Sequence, residues 1–168
     1  TAKDAAGNGP NVTGLTMLAN EGIVIGAALK GSSDITLVAG ATYTDRDGVT
    51  QTGNANAALL LNANSSLTST GGNIVLMATG NVGIGGKVTG TGDISILGGA
   101  TYTSGAIVQQ AGDAAAALTL NASVTGTGGS GTAATLSTTG GGIAINNALS
   151  IAGGTLSLAA TGGGVTQG

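Results

Sequence analysis

The chain has 168 residues, 34 of them glycine, with four basic and seven acidic side chains for a formal charge of -3; its only aromatics are two tyrosines, and it has neither histidine nor cysteine. That removes the commonest general base, the usual zinc ligands, every thiol nucleophile and every disulfide. Glycine at about one residue in five, some three times ordinary usage, argues against helices, while a 41% hydrophobic content drawn almost wholly from Ala, Val, Ile and Leu argues against a disordered chain and suits thin, stacked β layers.

The charges, Lys3, Lys30, Arg46 and Lys87 against Asp4, Glu21, Asp34, Asp45, Asp47, Asp93 and Asp113, are spread along the whole length. No basic patch or aromatic platform is offered to nucleic acid. Apolar runs such as Ala57 to Leu61 and Ala114 to Leu118 are five residues long, far short of the roughly 20 that span a bilayer. The start, TAKDAAGNGPNV, holds the only proline and has no amphipathic period for a capping helix.

From there, apolar pairs two residues apart recur, the period-two signal of strands with one buried face. Pairs open at Leu15, Ile35, Leu59, Ile74, Ile94, Leu118, Ala134 and Leu156. A second pair often follows after a Gly or Asn turn (Ile23/Ile25, Val82/Ile84, Ile143/Ile145), then a lone aliphatic residue (Leu29, Val88, Leu149). Asp34 to Ala63 aligns without a gap onto Asp93 to Ala122 at an offset of 59, with 17 of 30 residues identical. The motif GVTQ at Gly48 to Gln51 recurs as IVQQ at Ile107 to Gln110 and as GVTQ at Gly164 to Gln167.

Self-similarity at this period predicts an all-β fold, a right-handed parallel β-helix or β-solenoid. About eight coils of roughly 20 residues would be organised in a 59-residue super-repeat and form a rod on the order of 40 Å long. The whole of 1–168 reads as a single solenoid segment of a longer protein, with super-repeats at about 12–70 and 71–130 and a partial one at 131–168. Inward Ile35, Ile94, Leu59, Leu118, Ile74 and Leu136 should form aliphatic ladders, because a one-residue slip would turn every ladder outward. Glycines at Gly71-Gly72, Gly85-Gly86, Gly98-Gly99 and Gly140 to Gly142 should supply positive φ and close backbone approach at corners.

No residue is assigned to catalysis, to a cofactor or to a metal. The turn Thr44 to Gly48 (TDRDG) places Asp45 and Asp47 as a calcium loop would, yet it lacks a downstream acidic ligand and its counterpart reads TSGAI, so it is expected to be an exposed turn with a local Asp–Arg pair. Asp34 and Asp93, at one repeat position, should lie three coils or roughly 14 Å apart, too far for a glycosidase pair at about 5 to 9.5 Å, and should cap turns through their own backbone. Asp113, in place of Asn54, reads as turn chemistry. Thr42 to Thr44 and Thr101 to Thr103 (Thr-Tyr-Thr) return too rarely for an ice-binding plane, and Tyr43 and Tyr102 should cover the longer coil. Asn62 and Asn121 suit an amide ladder or a corner. Gly86-Lys87 fails as a phosphate loop, because Val88 follows it and Asn81 stands where the first glycine belongs. The sequons at Asn11, Asn64 and Asn121 are what chance supplies in so polar a chain.

Units such as GGNIVLMATGNVGIGGKVTG, GTGDISILGGA and GGGVTQ resemble the degenerate repeats of filamentous-haemagglutinin-type proteins, the secreted substrates of two-partner secretion in Gram-negative bacteria. The resemblance covers essentially the whole chain. It implies a β-helical shaft at the bacterial cell surface, exported through an outer-membrane partner and projecting an adhesin or toxin tip. The expected function is therefore a non-catalytic shaft of a secreted filament or adhesin, whose partners are neighbouring repeats or further copies end to end, with a host or biofilm ligand at a distant tip. The competing readings are a carbohydrate- or surface-binding module and a polysaccharide-acting β-helix enzyme.

Overall fold

The computed structural model describes residues 11–103, 105–109, 111–129 and 131–168. Lys3, Asp4 and Pro10, and with them the expectation of an uncapped start, lie outside the described residues. Among the described residues, every regular element is a strand. Eighteen of these strands, two to six residues long, form three six-stranded parallel sheets, and the other four form two short hairpins.

The first sheet comprises Asn11–Val12, Ala28–Gly31, Ser66–Ser69, Lys87–Gly90, Val124–Gly126 and Leu149–Ile151. The second comprises Leu15–Ala19, Ile35–Ala39, Ile74–Ala78, Ile94–Gly98, Ala133–Thr138 and Thr155–Ala160. The third comprises Ile23–Ile25, Leu59–Leu61, Val82–Ile84, Leu118–Leu120, Ile143–Ile145 and Val165–Gln167. The chain visits first, second and third sheet in that order and then begins again, so each strand pairs with its counterpart from the neighbouring round.

Register follows the alternation of the sequence. Leu15, Ile35, Ile74, Ile94, Ala134 and Leu156 form one column, and Met17, Leu37, Leu76, Ile96, Leu136 and Leu158 the next. The third sheet stacks Ile23, Leu59, Val82, Leu118, Ile143 and Val165, and the first stacks Leu29, Leu67, Val88, Val124 and Leu149. Residues from all three sheets join in one aliphatic cluster. Ile35, Ile94, Leu59, Leu118, Ile74 and Leu136 are all at 0% exposure, as their periodicity requires.

Three sequence expectations are corrected. The eight strand openings are of two kinds: six lie in the second sheet, whereas Leu59 and Leu118 lie in the third, so each sheet has six strands rather than eight. The steps from Leu15 to Ile35, Ile74, Ile94, Ala134 and Leu156 show short rounds interleaved with two long ones, and the 59-residue period is one long round plus one short round. The corner glycines named above mostly serve close approach. Only Gly99 among them has a positive φ, of 69°, whereas at Gly85 an added Cβ would stand 2.7 Å from the Leu61 carbonyl oxygen. The third GVTQ also departs from the first two positions: Thr50–Gln51 and Ala106–Val108 are hairpin arms, while Val165–Gln167 pairs in parallel with Ile143–Ile145.

Candidate functional site

The extra length of the two long rounds is spent on the hairpins. Tyr43–Thr44 pairs antiparallel with Thr50–Gln51, and Thr101–Thr103 with Ala106–Val108. Each excursion leaves the second sheet through a glycine with positive φ, Gly40 at 76° and Gly99 at 69°, in the left-handed region that a side chain disfavours. The hairpins are rooted two strands apart, on either side of Ile74–Ala78. They nevertheless touch: Thr42 N–H donates to the Tyr102 carbonyl at 2.9 Å, and Thr42 bridges Thr103 in parallel fashion. The Thr-Tyr-Thr motifs, expected to be separated by whole coils, are thus direct neighbours.

Beneath the hairpins lies a second apolar cluster that periodicity alone did not reveal. Val38, Met77 and Leu97 stand in register on the outer face of the second sheet and, with Ala41 and Ala100, are buried under Tyr43 and Tyr102. The signal is a local breach of alternation: ITLVA, IVLMA and ISILG each carry an apolar residue at the fourth, outward position. The tyrosines cover the long rounds as expected, and they also cover Met77 of the short round between them.

The acidic turn closes the first hairpin on itself. Asp45 Oδ1 accepts the backbone N–H groups of Asp47 at 3.0 Å and Val49 at 2.9 Å, and Oδ2 accepts Gln51 Nε2 at 2.8 Å. The Val49 and Gln51 bonds, aided by that of Asp47, outweigh what little desolvation there is and hold the Asp45 carboxyl below its usual range. Its partners are these three groups rather than Arg46, so the local Asp–Arg pair expected from the sequence is replaced by an Asx-type turn. Among the described residues no three acidic side chains come together.

Asp34 and Asp93 also depart from expectation. They are two strands apart, not three, which places them at about 10 Å on strand spacing. Neither caps its own turn. Asp34 Oδ1 accepts Asn73 N–H at 2.7 Å, Asn73 Oδ1 accepts Asp93 N–H at 2.9 Å, and Asp93 Oδ1 accepts Ala133 N–H at 2.8 Å. The three side chains form a ladder linking successive rounds at one corner. Asn121 Oδ1 likewise accepts Asn146 Nδ2 at 2.8 Å. Asp113 and Asn54 are equivalent in geometry as in sequence, each accepting the N–H two residues on, at 2.9 Å.

Between the hairpins lies a cleft of about 230 Å³. Thr42 lies on one side, Thr101, Tyr102, Thr103 and Asp113 on the other, and Thr79 of the intervening short round between them. No family model, curated protein or solved structure matches the chain. Architecture and chemistry therefore carry the functional reading. Among the described residues no helix is long and apolar enough to cross a membrane.

Proposed function

We propose that the chain is a non-catalytic shaft segment of a secreted bacterial filament or adhesin, built as a right-handed parallel β-helix of six coils. The observation that carries this reading is the fixed cycle through three parallel sheets, repeated six times in one register around one aliphatic core. Parallel crossovers are right-handed in nearly every known case, and six rungs at about 4.8 Å make a rod on the order of 30 Å long. A repeat of this kind transmits length: each round contacts only its neighbours, so rounds add without redesign of the core. The resemblance of GGNIVLMATGNVGIGGKVTG, GTGDISILGGA and GGGVTQ to filamentous-haemagglutinin-type repeats supports an extracellular, cell-surface location. Its partners are then the neighbouring repeats or further copies end to end, with the receptor-binding work done at a distant tip.

Two measurements test the proposal. Antibodies against the segment should label intact cells of the source and decorate thin, unbranched fibres in electron micrographs, and oriented fibres should diffract at about 4.8 Å along the fibre axis. Labelling confined to permeabilised cells would refute the location, and a meridional spacing unrelated to stacked strands would refute the shaft.

A further inference from the structure

We infer that the cleft between the two hairpins is a binding site for a neutral, hexose-sized polyol. The inference goes beyond the shaft function and rests on how the cleft arises. Two long rounds flank a short one, so the hairpin arms that return to the third sheet have no partner strand between them, whereas the outgoing arms close on each other through the Thr42 N–H to Tyr102 carbonyl bond of 2.9 Å. That closure pairs the outgoing arms with each other, so no extended peptide can add as a strand between them. A compact ring is what the remaining space accepts. At about 230 Å³ the cleft is smaller than the roughly 300 Å³ at which pockets for drug-sized ligands begin.

The lining has the chemistry of a polyol site. Thr79 Oγ1 donates to the Asn54 carbonyl at 2.6 Å and keeps lone pairs for an incoming hydroxyl. Thr42 Oγ1 accepts Gly53 N–H at 2.9 Å and keeps its proton to donate. Each is therefore oriented in advance, one as acceptor and one as donor, which lowers the ordering cost of binding. Asp113 is the sole charged side chain of the lining. Its Oδ1 is occupied by Ala115 N–H at 2.9 Å, and among the described residues Oδ2 accepts no hydrogen bond, which leaves it to accept from a ligand hydroxyl through a charge-assisted bond. Tyr102 borders the cleft while its half-buried side chain packs against the cluster of Val38, Met77 and Leu97, which fixes the strand that carries Thr101 and Thr103. One carboxylate and no cation select against acidic sugars, phosphates and sulfates.

The test uses the intact chain with methyl glycosides of glucose, galactose, mannose and N-acetylglucosamine, and with glucuronic acid as the charged probe. Isothermal titration calorimetry reads the affinity, and saturation-transfer NMR identifies which sugar protons approach the protein. At least one neutral glycoside should bind in the millimolar range. Asp113→Asn should weaken that binding about tenfold or more with unchanged circular dichroism, because Asn54 already makes the same turn bond in the preceding long round. Tyr43→Phe, outside the cleft, should leave binding unchanged. Failure of every neutral glycoside to bind, affinity that survives Asp113→Asn, or glucuronic acid binding as tightly as its neutral counterpart would each overturn the inference.

Discussion

Leu59, Leu60 and Leu61 are three identical residues in one strand, and the fold assigns them opposite fates: 0%, 41% and 2% exposed. Leu59 sits between Ile23 and Val82 in its column, and Leu61 between Ile25 and Ile84. Truncating either to alanine removes transfer free energy and leaves a cavity that rungs fixed above and below by backbone bonds cannot collapse to fill, so each should cost about 3 to 4 kcal/mol. Leu60 points outward over Gly83, whose missing Cβ would lie 2.9 Å from Leu60 Cδ2. Its truncation opens no cavity. Complete burial of a leucine contributes about 1.5 to 3 kcal/mol, and little more than half of that is at stake, so Leu60→Ala should cost about 1 kcal/mol. Equilibrium unfolding in guanidinium chloride, followed by far-UV circular dichroism, reads all three from midpoint and slope. If Leu60→Ala proved as damaging as its neighbours, or if either neighbour proved as mild as Leu60→Ala, the register of the third sheet would be wrong.

Gly99→Ala should destabilise by several kcal/mol, since it combines a φ of 69° with a Cβ driven into the Thr139 hydroxyl, whereas Gly48→Ala, at φ 81° in open space, should cost only the about 1 to 2 kcal/mol of the left-handed backbone; thermal unfolding distinguishes the two, and equal losses would mean that packing at the corner is irrelevant. Mild peroxide should oxidise Met17, 37% exposed, well before Met77 at 0%, with peptide mass spectrometry as the readout; early oxidation of Met77 would show that the hairpins do not cover the outer cluster. The Asp45 carboxyl, held down first by the Val49 and then by the Gln51 bond, should titrate below the ordinary aspartate value of about 3.9 by carbon-detected NMR. Because its folded value is depressed, whatever it contributes is present above the unfolded value and lost as pH falls through the folded one. Gln51→Ala should raise that midpoint part-way, and a midpoint at or above the ordinary value would refute the turn geometry.

The ladders were legible because burial on one face writes itself as period two, and Ile35/Leu37, Leu59/Leu61 and Ile74/Leu76 carry it plainly. The number of strands per sheet was less so. Leu59 and Ile35 open with the same pattern although they belong to different sheets, and nothing in an aliphatic pair says which wall it lines. Position within the round does: Leu59 follows a long excursion and precedes a corner at Asn62 to Ser65, as Val82 follows a short corner and precedes Gly85. The outer cluster escaped because a single apolar residue at the fourth position of ITLVA, IVLMA and ISILG sets up no period of its own, so Val38, Met77 and Leu97 carry no repeating signal. The ladder of Asp34, Asn73 and Asp93 escaped for a related reason. Asp34 and Asn73 are adjacent although a hairpin lengthens the path between them, and a side chain that bonds to the next round leaves no local signature of the kind an Asx turn leaves at Asp45 or Asp113.

The corner between second and third sheets is crossed by residues 79–81 in one round and by residues 40–58 in the round before it, yet Ile35 and Ile74 remain side by side. A roughly sixfold longer connection adds only on the order of 2 kcal/mol of closure entropy, and the hairpin recovers part of that by burying the outer cluster. The ladder is thus indifferent to what is inserted at this one place. New surface can be acquired there, varied or lost in alternate layers while the aliphatic interior is left alone, and the same corner at 161–164 is the natural graft point for anyone wishing to display a foreign loop along the molecule.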